Sequence, residues 1–164
     1  MKILVVSDSH SALSFMRRCA EMLKPDALIH LGDYWDDGQA ISELFPEIPM
    51  VQVPGNCDRY RCEPEEPEIK LERMFGADLY LTHGHRHNVK RHLTELLRDA
   101  RKCRAAAALY GHTHTADCHR ERDGLWVLNP GSCGYFGGSV GLMEVENGKI
   151  TDCRILREED LQAL

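Results

Sequence analysis

The chain has 164 residues, a formal net charge of −6 and a sequence pI near 5.8. That length fits one domain with a genuine core. The 43% hydrophobic and 28% charged content excludes a disordered chain, and the acidic balance excludes a broad basic face for extended duplex nucleic acid. The seven cysteines form no CxxC pair, so they read as reduced thiols of a cytoplasmic protein, mostly small core residues, and not as a zinc knuckle.

The apolar run Ile3 to Val6 is too short for a signal peptide and reads as a buried strand. Leu13, Met16, Ala20 and Leu23 recur at helical spacing until Pro25 stops them, and Ala27 to Leu31 is a second strand halted by Gly32-Asp33. Strand, helix, strand is a βαβ unit and requires a parallel sheet. Met50 to Val53 predicts a third strand, followed by an exposed acidic loop at Glu63 to Glu68, and Leu79 to Thr82 a fourth. Val89, Leu93, Leu96, Leu97 and Ala100 predict a helix with one apolar face, and Ala105 to Tyr110 a fifth strand. Strands follow at Ala116 to Arg120, Trp126 to Leu128, Val140 to Val145 and Ile150 to Ile155, with hairpin turns at Asp123-Gly124 and Asn147-Gly148. The reading is one α/β domain, residues 1–164, whose later sheet is largely antiparallel. Arg157 to Leu164 is a short helix or a frayed end. No stretch is long and apolar enough to span a membrane.

Metal-ligating residue types stand where the apolar strands end. Asp8 and His10 follow the first strand, Asp33 the second, Asn56 the third, His83 the fourth, and His112 and His114 the fifth. Ligands of open α/β sheets gather at such carboxyl ends. In an extended chain, residues two apart face one side, so Asp8 with His10, and His112 with His114, can each aim at one site. Glycines at 32, 55, 84 and 111 let the backbone turn tightly beside them. Two carboxylates, four imidazoles and one amide exceed what a tetrahedral zinc needs, and suit two ions sharing a carboxylate. The competing reading takes Asp8-Ser-His-Ser11 as a helix cap and Gly32-Asp33 and Gly55-Asn56 as plain turns. His30 reads as a core histidine, and His87, His92 and His119 as surface residues. Tyr34 and Trp35 either stack on a substrate base or pack ordinarily.

The ordered run Asp8-x-His10, Gly32-Asp33, Gly55-Asn56-Cys57-Asp58, Thr82-His83-Gly84-His85, Gly111-His112-Thr113-His114, closing with Asn129-Pro130-Gly131-Ser132, resembles the calcineurin-like metallophosphoesterases. The likeness is to their compact phosphodiesterase branch, whose fold a eukaryotic retromer subunit shares. The resemblance implies a four-layer αββα sandwich of two mixed sheets. It implies one ion held by Asp8, His10 and His114, another by Asn56, His83 and His112, with Asp33 bridging both, and a dimer or tetramer. Mn²⁺ leads as cofactor, with Ni²⁺, Zn²⁺, Fe²⁺ and Co²⁺ as alternatives. Many family members carry histidine after the asparagine to protonate the leaving group. This chain has Cys57, which reads as a small buried residue, and a thiol is a poor substitute. His85 reads as orienting a phosphate or leaving group, or as a hydrogen-bonding support.

Two divalent ions hold a hydroxide for in-line attack on phosphorus and neutralise the equatorial oxygens. Their four positive charges, less Asp8, Asp33 and the hydroxide, leave one, which suits a small phosphodiester monoanion. Asp33, Asn56 and His85 are thus the expected catalytic residues. Phosphomonoesters and a non-catalytic interaction scaffold are the alternatives.

Overall fold

The computed structural model describes residues 1–162. Its strands are β1 (Lys2–Val6), β2 (Ala27–His30), β3 (Met50–Gln52), β4 (Ile69–Met74), β5 (Ala77–Thr82), β6 (Ala107–Leu109), β7 (Asp117–Arg120), β8 (Trp126–Asn129), β9 (Ser139–Glu146) and β10 (Lys149–Arg157). The helices are α1 (Leu13–Leu23), α2 (Trp35–Leu44), α3 (Thr94–Lys102) and α4 (Glu158–Gln162), with a single 3₁₀ turn at His85–His87.

The strands form two five-stranded mixed sheets, ordered β10-β9-β1-β2-β3 and β4-β5-β6-β8-β7. β1, β2 and β3 run parallel in the first, and β5, β6 and β8 in the second. The continuous apolar run of β1 is explained by burial on both faces. Ile3 and Val5 point between the sheets, against Leu79, Leu81, Leu109 and Leu128. Leu4 and Val6 point the other way, onto Met16 and Cys19 of α1, Ile41 of α2 and Leu161 of α4. On the far side, Leu96 and Ala100 of α3 cover Tyr80, Ala108 and Val127. The four layers are helices, sheet, sheet, helix. This is the αββα sandwich expected from the resemblance.

Several local readings are corrected. The later strands do not make one antiparallel sheet. β7 and β8 complete the second sheet, while β9 and β10 cross to the first and pair with β1. Helix α2 carries no clear apolar stripe. It lies close on the sheet because Gly38 is small: a Cβ there would stand 2.1 Å from Gln52 Oε1. Strand β4, with alternating charges, escaped the apolar-run criterion. Helix α3 begins at Thr94, and Val89 to Leu93 belong to turns. Among the described residues, no helix is long and apolar enough to cross a membrane.

Candidate metal centre

The C-terminal ends of β1, β2, β3, β5 and β6 lie along one rim of the sandwich, and their loops are stitched together by backbone hydrogen bonds. Asp8 N donates to Gly32 O at 2.9 Å, and Gly111 N to His83 O at 3.0 Å. The loops approach closely because glycines stand at the crossings. A Cβ on Gly55 would lie 2.1 Å from Asp33 Oδ1, and one on Gly111 would lie 2.0 Å from Ser7 Oγ. The spacing argument for the ligand pairs is replaced by another geometry. Asp8, His10, Asp33, His112 and His114 all have positive φ, between 44° and 70°, so the side chains converge through left-handed kinks instead of extended chain.

One half of the centre is formed by Asp8, His10, Asp33 and His114, whose donor atoms lie within 4.8 Å of one another. Asp8 is fully buried, and its Oδ2 accepts Ser7 Oγ–H at 2.6 Å and His112 N–H at 3.1 Å. Its Oδ1 is buried with no hydrogen-bond partner among the described residues, as is Nε2 of His10. His114 Nε2 stands 3.0 Å from that Oδ1. The His10 ring is bracketed by Tyr34 and Tyr135, with centroids 4.8 and 4.7 Å away, and Tyr135 stacks on His114.

The other half contains His83, Asn56 and His112. His83 Nδ1 donates to Leu31 O at 2.8 Å, which fixes the tautomer. The lone pair of Nε2 then faces Asn56 Oδ1 at 3.2 Å, Asp33 Oδ2 at 3.6 Å and Asp8 Oδ1 at 4.0 Å. The His112 ring lies 5.0 Å from that of His83. Lone pairs and carboxylate oxygens facing one another repel unless a cation lies among them, so this donor set fits divalent ions.

The electrostatics agree. Burial, with His83 nearby, pushes the His112 imidazole down to about 4. Burial also lowers His10, against the pull of Asp8. Both rings are neutral at neutral pH, the state in which imidazole ligates. Burial alone would raise Asp33, but His83 and the Cys57 N–H at 2.9 Å outweigh it and hold its carboxyl below the usual range.

All seven expected ligand residues therefore face one rim. The helix-cap reading of Asp8-Ser-His-Ser11 fails, since Ala12 occupies the N-cap of α1 and no side chain caps it. Cys57 is exposed, contrary to expectation, and only Cys19, Cys133 and Cys153 are buried among the seven free thiols. Trp35 packs as a buried residue at the start of α2, and Tyr34 packs on His10. His30 is fully buried, as expected. His87 is a correction: it is buried, with Nε2 3.0 Å from Tyr80 Oη. His92 is exposed and His119 half-buried between Asp117 and Glu121.

His85 stands beside the second half, its ring 6.1 Å from that of His112 and its Nε2 3.7 Å from Glu68. Burial lowers its pKa. It lines an open groove of about 710 Å³ together with Asn56, Arg59, Tyr60 and Glu68. Arg86, also in the wall, is committed to Glu68 at 2.5 Å.

Sequence reasoning assigned no role to Asp58, although it closes the Gly55-Asn56-Cys57-Asp58 run. It is fully buried and accepts the backbone N–H groups of Asp33 (2.8 Å), Gly55 (2.8 Å) and Trp35 (2.9 Å), tying the β2 and β3 loops together. Asn129 and Ser132 act similarly on the other sheet: Asn129 Nδ2 donates to Gly111 O, and Ser132 Oγ–H to Asp8 O at 2.7 Å.

A strand-end cluster of carboxylates and imidazoles on an αββα sandwich defines a metal-dependent hydrolase class. The calcineurin-like phosphoesterase superfamily domain matches residues 1–148, and the chain belongs to that family. The Bacillus subtilis protein named Probable metallophosphoesterase YsnB is 30% identical over 141 residues, covering 80% of this chain and 75% of that one. A structure from Streptococcus pneumoniae TIGR4, described as a predicted phosphoesterase, superposes with TM-score 0.76 at 25% identity, over 96% of this chain and 90% of the other. Vps29 of Entamoeba histolytica shares the fold, with TM-score 0.70 at 18% identity, over 96% of this chain and 99% of that one.

Proposed function

We propose that this metallophosphoesterase hydrolyses a small phosphodiester in the cytoplasm, working with two divalent ions of which Mn²⁺ is the first candidate. Asp8, His10 and His114 would hold one ion, Asn56, His83 and His112 the other, with Asp33 within reach of both sets. The observation that carries this reading is the pair of buried, partnerless donor atoms, Asp8 Oδ1 and His10 Nε2, aimed into the cluster. A buried polar atom without a partner costs about 1–3 kcal/mol, and a bound cation removes that cost.

When bound, such ions supply Lewis-acid charge at phosphorus and a water of lowered pKa. The chain's own residues do the rest. The Ser7 and His112 donors occupy Asp8 Oδ2 and leave Oδ1 free to ligate. Leu31 O holds the proton of His83 on Nδ1, so Nε2 keeps its lone pair. Asp58 fixes the backbone of Asp33 and Gly55, so Asp33 and Asn56 keep their relative position. His85, neutral and on the groove side, orients a phosphate oxygen or the leaving group.

A diester is favoured over a monoester because one residual positive charge matches a monoanion. A second reading, an interaction scaffold, is favoured by Cys57. Partial desolvation beside the loop and the nearby Asp33 push its thiol up to about 11, so it makes a poor proton donor to a leaving oxygen.

The test strips the protein of metal and restores Mn²⁺, Ni²⁺ or Zn²⁺ separately. Hydrolysis of bis-p-nitrophenyl phosphate is compared with that of p-nitrophenyl phosphate. Metal-dependent cleavage of the diester in preference to the monoester is expected. A preference for the monoester would overturn the diester assignment. Stoichiometric metal binding without turnover of either would replace the enzyme by the scaffold.

A further inference from the structure

Strand β4 ends the second sheet, so among the described residues one of its sides has no neighbouring strand. Free edges are usually blunted by shortness, charged side chains, proline, bulges or cover. β3 and β7 are short, with three and four residues. β10 is longer but carries a register shift between Ile150 and Asp152. β4 has six regular residues, Ile69-Lys70-Leu71-Glu72-Arg73-Met74, paired without a shift to β5. It contains no proline. Its charges are Lys70, Glu72 and Arg73, of which Lys70 and Glu72 are opposite in sign and two residues apart, so they deter unlike strands and complement a second copy. Ile69 and Leu71 remain 41% and 51% exposed, beside buried Tyr80 on the outer face, where α3 does not reach them.

The hairpin joining β4 to β5 settles which backbone groups are free. Phe75 and Gly76 have φ of 51° and 89°, the signature of a two-residue type I′ turn closed by Met74 and Ala77. The closing pair of such a turn exchanges both hydrogen bonds, and the alternation continues along the ladder. Met74, Glu72 and Lys70 spend their backbone groups on β5. Ile69, Leu71 and Arg73 present theirs to the open side.

We infer that this edge pairs with the same edge of a second copy, antiparallel about a two-fold axis through Leu71, making one continuous ten-stranded sheet. Opposed residues on antiparallel strands share a face, so the axis must pass through a residue. Centred on Leu71, the register sets Leu71 against Leu71 of the partner subunit and Ile69 against the aliphatic stem of Arg73 of the partner subunit. It also sets Lys70 against Glu72 of the partner subunit, twice by symmetry. Centred one residue later, it would oppose Glu72 with itself, and one earlier, Lys70 with itself. Like charges directly opposed destabilise a strand pair and opposite charges support it. The outward groups of Ile69, Leu71 and Arg73 on two copies then form about six hydrogen bonds. Lys70, which reaches Glu66 within its own chain at 2.5 Å, lies between two carboxylates in the dimer.

Sedimentation velocity over a hundredfold concentration range gives the test, with circular dichroism as the check on folding. Wild type is expected to sediment as a dimer or a multiple of one. Leu71→Lys, at an exposed position, places two ammonium groups on the axis and raises the dissociation constant at least tenfold. Glu72→Lys weakens the dimer similarly, and the double variant Lys70→Glu/Glu72→Lys restores it, because the swap recreates both charge pairs. A strictly monomeric wild type would overturn the inference, as would a folded Leu71→Lys protein with undiminished association. Failure of the swap to rescue would overturn the register.

Discussion

The two halves of the candidate metal centre are built differently. The half around Asp8, His10 and His114 is flanked by aromatic rings, with Tyr34 and Tyr135 bracketing His10 and Tyr135 lying flat on His114. The half around Asn56, His83 and His112 opens toward the groove shared with His85, and Asn56 itself is exposed. Aromatic cover suits retention of an ion, and a groove suits exchange of substrate. Under the proposed function, the phosphate approaches from the groove side past Asn56 and His85.

The comparison breaks most severely at the residue common to both halves. Asp33→Asn is expected to lower phosphoesterase turnover by on the order of 10²–10³-fold, and to reduce bound metal measured by elemental analysis. Unchanged turnover would end the bridging assignment. Next is Asp58→Ala, which leaves three buried N–H groups without their acceptor. A loss of about 3 kcal/mol or more is expected in denaturant unfolding, with weaker metal retention, because both halves share that support. A smaller effect separates the halves. His10→Ala should release one ion while leaving the open half occupied, and Asn56→Ala the reverse, so titration calorimetry should resolve different sites lost in the two variants.

Weaker still is a pH effect on the metal-free protein. Burial lowers the pKa of His30, whose Nδ1 accepts the Gly32 N–H while Nε2 faces Ser9 Oγ. A histidine depressed in the folded state keeps its full contribution above its unfolded pKa, near 6.5, and loses it as pH falls below that value. His10, His85, His87 and His112 are shifted in the same direction. Thermal stability should therefore fall on acidification from pH 7 to 5, and His30→Gln should flatten that slope. The smallest expected effect is that of Tyr135→Ala. It uncovers His10 and His114 and should raise the rate of ion release from that half about tenfold, within the range seen for supporting residues, with little change in stability.

Much of the centre was legible because each ligand is written immediately after an apolar strand, and strand ends in such sheets converge. The supporting residues were harder to read. Asp58 acts through backbone N–H groups of loops 25 residues apart at Asp33 and 3 apart at Gly55, a relation that no local spacing encodes. His87 reads as a surface residue because nothing near it in sequence reveals Tyr80 as its partner. Helix α2 was invisible because Gly38, a weak helix former, is required there by the closeness of Gln52. The crossing of β9 and β10 to the first sheet is a long-range choice. Alternation shows that they are strands, but not which neighbour they take.

Five of the seven expected donors hold left-handed backbone, a conformation that costs a residue other than glycine about 1 kcal/mol or more. The chain's own hydrogen bonds support that backbone: the Asp58 carboxylate accepts the Asp33 N–H, and Asp8 N and Gly111 N bond across to neighbouring loops. The cage is thus shaped by backbone contacts between loops. Divalent ions of similar radius should enter it interchangeably, and the cell's supply of metals, more than the protein's geometry, should decide which pair it carries.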